Sequence, residues 1–119
     1  MSRSIGSRTI DGAAPLRCML VRLTADQEEA CRRAIMPVEV IRVGDIRGAC
    51  ASMSTVLPLV VVVDEAISDA DRSALMEFTT ACGAELFTLE RAPTLSGLGS
   101  RIFEAMRIAE RRRLGTASG

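Results

Sequence analysis

Residues 58 to 64 read Pro-Leu-Val-Val-Val-Val-Asp, an unbroken apolar run that stops on an acid. A strand with one wet face alternates apolar and polar residues. This run does not alternate, so both of its faces must be covered, and that condition is met by a central strand of a parallel sheet with helices on both sides. Open sheets of this kind place their ligands at the carboxyl ends of the strands. Asp64 therefore falls where a site would be built.

The rest of the chain supplies the sheet. From Leu16 to Arg113, short apolar runs alternate four times with stretches at helical spacing, which predicts one α/β domain over residues 16–113. The first strand is expected over Cys18–Leu23. Thr24-Ala25-Asp26-Gln27 then reads as a helix N-cap with Gln three residues on, opening a helix that Pro37 ends, with Ala30, Cys31, Ala34 and Ile35 inward. A second strand over 38–43 alternates Val and Ile with Glu39 and Arg42, the mark of an edge position. It leads through Gly44-Asp45 to a helix with Ile46, Ala49, Cys50 and Met53 on one face. After the Pro58–Asp64 strand, Ser68-Asp69-Ala70-Asp71 opens a third helix, with Ala74, Leu75, Phe78 and Cys82 inward and Gly83 as its stop. A fourth strand over 84–90 and a last helix that buries Leu98, Ile102, Ala105, Met106 and Ala109 complete the set. Residues 1–15 read as a flexible leader and 114–119 as a flexible tail. Right-handed crossovers then favour strand order 2-1-3-4, a flavodoxin-like three-layer sandwich whose first and third strands are central.

Composition narrows function by what it omits. The chain has no His and no Lys, and all fifteen basic residues are Arg. Without imidazole there is no Ser-His-Asp triad and no His general base, and without lysine there is no Schiff base and no Walker-type lysine. Fifteen acidic residues balance the fifteen basic ones, so no net field draws the protein to nucleic acid or to an anionic membrane. The local basic run is Arg111-Arg112-Arg113. Cys18, Cys31, Cys50 and Cys82 are too widely spaced for a zinc ribbon or a C-x-x-C redox pair, and they read as free buried thiols of a cytoplasmic protein. No signal peptide and no membrane-spanning run is recognisable.

On these residues the chain resembles a response-regulator receiver domain. Pro58 to Asp64 matches the spacing of the receiver's third strand, and Asp64 falls on the phosphoacceptor. Val38-Glu39-Val40-Ile41 to Gly44-Asp45 and Ala49 resembles the family's second strand and helix, and Met19-Leu20-Val21 resembles the opening of its first strand. The likeness covers roughly residues 17 to 90 and implies a bacterial signalling role. The departures bear on mechanism. Where receivers place an acidic pair that holds magnesium, this chain has Leu23 and Thr24, and the nearest acid is Asp26. Where receivers place a lysine that holds the phosphoryl oxygens, there is none, and Leu89, Glu90 or Arg91 lies nearby. Four strand-helix units stand in place of five, and in a second alignment Gly83-Ala84-Glu85-Leu86-Phe87 becomes the family's fifth strand. Thr88 matches the family's switch Ser/Thr, or is simply a good strand former.

These features predict a non-catalytic pseudo-receiver that binds a protein partner independently of phosphorylation, with no cofactor and no metal. Asp64 is expected at the centre of the inactive site, with Leu23, Thr24, Asp26, Glu65 and Thr88 on its rim. The alternative is a true phosphoacceptor in which Asp64, Glu65 and Asp26 hold magnesium atypically. A small enzyme on a flavodoxin-like fold is the third class, though no strand leads into a Cys-x5-Arg or Gly-rich phosphate loop. The shortened sheet leaves its fourth strand at an edge, so Leu86, Phe87, Leu89 and, on the last helix, Phe103 are candidates for an interface, including a homodimer.

Overall fold

Val60–Asp64 form a strand, β3, that is buried along its whole length. In the computed structural model, which describes residues 16–118, it lies inside a four-stranded, all-parallel sheet with β1 (Arg17–Val21), β2 (Glu39–Val43) and β4 (Glu85–Leu89). The order is β2-β1-β3-β4, as the crossover rule requires. Residues 1–15, read as a leader, lie outside the described residues.

Period-two alternation along the central strands divides the core. Cys18, Leu20, Val60 and Val62 point to one face, where helices α1 (Ala25–Ile35) and α4 (Leu98–Ser118) cover them with Cys31, Ile35, Leu98 and Ile102. Met19, Val21, Val61 and Val63 point to the other, under α2 (Ile46–Val56) and α3 (Asp69–Cys82), which contribute Ala49, Met53 and Leu75. This is the three-layer, flavodoxin-like arrangement. The helix caps are those the sequence predicts: Thr24 and Gln27 form a reciprocal capping box, the Asp45 and Ser68 side chains accept from Gly48 and Asp71 backbone N–H groups, and Gly83 ends α3 in a left-handed conformation at φ 74°.

Three local expectations need correction. The first strand stops at Val21 rather than Leu23, because Arg22 turns into the left-handed region at φ 54° and redirects the chain toward α1. In α3 the buried stripe is centred on Leu75 and Thr79, with the Thr79 hydroxyl satisfied by the Met76 carbonyl at 3.0 Å, while Phe78 lies at the margin and is largely exposed. The tail expected from residue 114 is helical to Ser118: no proline follows the arginine run, and Gly115 weakens α4 without ending it.

That arginine run has structural partners. Arg113 donates to the Cys82 carbonyl at 3.2 Å and the Pro58 carbonyl at 2.7 Å, and Arg112 donates to the Ala84 carbonyl at 3.2 Å and the Glu85 carboxylate at 2.9 Å. The end of α4 thus ties down the loops that lead into β3 and β4. Cys18 and Cys31 are buried and Cys50 and Cys82 half-buried, all as free thiols. Desolvation raises the Cys18, Cys31 and Cys50 thiols, Cys31 to about 11, so they are poor nucleophiles at neutral pH. Among the described residues no helix is long and apolar enough to cross a membrane.

Candidate functional site

The carboxyl edge of the sheet gathers the residues of interest around Asp64. The parallel register ends with Val21 opposite Val63, and Arg22, which turns out of the strand, lines the same cavity as Asp64. Arg22 donates its N–H to the Val43 carbonyl at 3.0 Å, and its guanidinium stands 3.9 Å from Asp71 in the first turn of α3. Between them opens a cavity of about 270 Å³ lined by Val21, Arg22, Ile46, Asp64, Ile67 and Asp71, with Arg91 at its rim.

Asp64 itself is only 8% exposed and fully engaged. Its Oδ1 accepts from the Ala66 N–H at 2.7 Å and its Oδ2 from Arg91 Nε at 2.7 Å, and the Gln27 amide lies nearby. Burial pushes the carboxyl up, but the Ala66 and Arg91 hydrogen bonds, the nearby Gln27 amide and the arginine charge together outweigh it and hold the group below its ordinary value. Arg91 follows β4 and reaches back across the edge; its backbone N–H donates to Glu65 Oε2 at 3.0 Å. Of the residues near the position of the absent lysine, Arg91 spans the distance to Asp64, and its guanidinium is spent on the carboxylate.

Gln27 escapes sequence reasoning as a site residue, since its position in the capping box accounts for it fully. It is completely buried. Its Oε1 accepts from Thr24 N–H at 2.9 Å and its Nε2 donates to the Glu90 carbonyl at 3.0 Å, so one side chain joins the start of α1 to the segment after β4.

The other expected rim residues are dispersed. Leu23 turns inward onto the α1/α4 core, and Thr24 caps α1. Asp26 lies over a separate depression with Glu29, Pro93 and Leu95, so it does not join Asp64 and Glu65 around a common point. Thr88 is exposed and accepts from Arg72 at 3.0 Å. Of the expected interface residues, Leu86 and Phe87 are half-buried, whereas Leu89 is fully buried in the α1/α4 core and cannot form a contact surface, because its side chain falls on the inner face at the register of Asp64. Phe103 is 37% exposed and faces α1 beside Ala34, on the opposite flank of α4 from β4.

These residues do not fit magnesium. That ion demands near-octahedral oxygen ligands, yet the carboxylate of Asp64 is bound to a guanidinium, a second arginine lines the same cavity, and Asp26 faces elsewhere. No group of three His, Cys, Asp or Glu side chains converges among the described residues.

A structural role for the Asp64–Arg91 pair makes a measurable prediction. Asp64→Asn keeps the shape and the Ala66 contact but loses the charge, and it should lower stability by about 1 kcal/mol at pH 7, a modest figure because the Arg91 side chain is 62% exposed and screened. The wild-type carboxyl is depressed from 3.8, so its contribution is complete above that value and is lost as pH falls through the lower native value. Urea midpoints of the two proteins should converge on acidification, and a gap that stays constant would show that the pair does not stabilise the fold. No family model and no curated protein sequence matches this chain.

Proposed function

We propose that this chain is a pseudo-receiver: a cytoplasmic, non-catalytic module of bacterial signalling that acts by binding a protein partner and does not use phosphorylation. The observation that carries the reading is the 2.7 Å ion pair between Arg91 and a nearly inaccessible Asp64, with Arg22 lining the same cavity. Phosphoryl transfer to a carboxylate needs a free attacking oxygen, and it needs cations placed to neutralise the charge that develops on the transferring group. Here the oxygens of Asp64 are occupied by donors, and the nearest guanidinium is committed to the ground-state carboxylate. An arginine that binds the nucleophile before reaction stabilises the resting state and so raises the barrier.

Two further features support a binding role. The sheet retains its receiver-like order and its exposed β4 edge, and the basic run that could have contacted nucleic acid is used to anchor α4. The test is direct. Beryllofluoride with magnesium, or acetyl phosphate, should leave the melting temperature and amide spectrum of the protein unchanged. A saturable shift that disappears in Asp64→Asn would establish the phosphoacceptor reading instead.

A further inference from the structure

We infer that two copies of this chain join through β4, edge to edge and antiparallel, so that their sheets continue into one. The inference deepens the interaction-module reading and rests on it for its biological use, though not for its geometry.

β4 is an outer strand with no strand beyond it among the described residues. Glu85 donates its N–H to the Leu59 carbonyl and the Leu89 carbonyl accepts from Glu65. Hydrogen-bonding direction alternates along a strand, so Glu85, Phe87 and Leu89 turn their backbone groups toward β3, and Leu86 and Thr88 turn theirs outward. The outward carbonyl of Ala84 is already taken by Arg112 at 3.2 Å. What remains open is the pair Leu86 and Thr88. This pattern is its own complement: with Phe87 of one copy opposite Phe87 of the other, Leu86 faces Thr88 on both sides of the axis, and every outward N–H and C=O of these residues finds a partner.

The flanks agree with that register. On one face Phe87 is half-buried beneath the Arg101 guanidinium, 5.2 Å from the ring centre, so the two rings meet at the axis. On the other face, Met76 lies one turn from Arg72, which reaches Thr88, and it is 48% exposed. Its symmetry mate stands across the same axis. α4 packs over β3 and β4, so its mate lies about two strand spacings away, roughly 10 Å, an ordinary distance between packed helices.

The charges at the two ends of β4 accommodate this direction. Arg112 pairs with Glu85 at the amino end of β4 at 2.9 Å, and Arg101 pairs with Glu90 just past the carboxyl end at 3.4 Å. Antiparallel pairing sets the amino end of one strand against the carboxyl end of the other. Arg112 of one copy then comes beside Glu90 of the second, and each end of the interface is neutral in sum.

Sedimentation equilibrium of the full 119-residue chain should give a dimer at high micromolar concentration. Thr88→Pro removes an N–H that β3 does not use, a change edge strands tolerate, and it should weaken association about tenfold or more, since one hydrogen bond per copy is lost. Far-UV circular dichroism should stay the same. Phe87→Cys, treated with oxidised glutathione, should give a disulfide-linked dimer, because opposed residues outside the hydrogen-bonded pairs stand close enough to bridge. A strict monomer overturns the proposal, whether the edge is then bare or covered by residues 1–15. So does a dimer that survives Thr88→Pro and yields no Phe87→Cys disulfide, which would place the contact elsewhere. Neither outcome alters the beryllofluoride response, so this assembly and the pseudo-receiver reading can fail separately.

Discussion

Gln27→Glu is expected to destabilise the domain by about 3 kcal/mol or more at neutral pH, the range for a buried charge without a counter-ion beside a like charge. Gln27 is fully buried, its amide donates to the Glu90 carbonyl at 3.0 Å, and it lies close enough to the Asp64 carboxylate to help hold that group ionised. The substituted oxygen cannot donate. It faces a carbonyl and a carboxylate, so the introduced carboxyl should titrate well above the ordinary glutamate value. The sign then follows from linkage: the native variant holds a proton that the unfolded chain has released, so stability falls as pH rises through that interval and recovers on acidification. Wild-type protein should show no such recovery, since Asp64 is depressed and loses its contribution at low pH. Gln27→Ala removes the conflict but leaves the Thr24 N–H and the Glu90 carbonyl unpaired, with an expected loss of about 2 to 4 kcal/mol that depends little on pH above 5. Urea midpoints of the three proteins against pH would check both signs. An ionised variant as stable as wild type at pH 7 would mean that Gln27 does not hold the site together.

Why the sequence conveys the fold so much better than the site can be seen at Gln27 and Asp64 themselves. The Pro58–Asp64 run carries its own boundary condition, because an apolar strand without alternation is compatible with few environments, and the caps at Thr24, Asp45, Ser68 and Gly83 are local arrangements decided within a few residues. Together they give the strand order and nearly every helix start. The site depends on long-range reach. Gln27 satisfies a local rule, the capping box, and the same side chain also bonds Glu90, 63 residues away. Arg22 stands in the site because a left-handed residue ends β1 two positions early, and an arginine offers little signal for positive φ. Leu23 and Asp26 follow the expected end of the first strand, and that early turn carries both away from Asp64. Leu89 fails as a surface residue for a related reason: edge position exposes a strand's outer backbone, yet α1 and α4 still cover the inner face on which this side chain falls.

Two glycines of α4 make the same distinction between local and long-range determinants, and substituting each with alanine should move stability in opposite directions. Alanine is the better helix former by up to about 1 kcal/mol, which by itself predicts a gain at both positions. A Cβ on Gly115 would meet no atom within 4 Å, so Gly115→Ala should realise part of that gain, limited by fraying near the helix end. A Cβ on Gly99 would lie 2.6 Å from the backbone oxygen of Ala34, where α4 lies against α1. That neighbour is main chain and cannot rotate aside. Either helix must shift, loosening Leu98 and Ile102 from the layer they share with Ile35 and Cys31. Overpacking of this kind typically costs about 1 to 3 kcal/mol and exceeds the propensity gain, so Gly99→Ala should lose about 1 to 2 kcal/mol net. A larger residue such as valine should lose more. The pair is measured by urea midpoints at equal protein concentration, because any association of the native state would stabilise all variants by mass action. If Gly99→Ala proved as stable as wild type, the close seat of α4 on α1 would not be a constraint on the fold, and Gly99 would be there for helix entry alone.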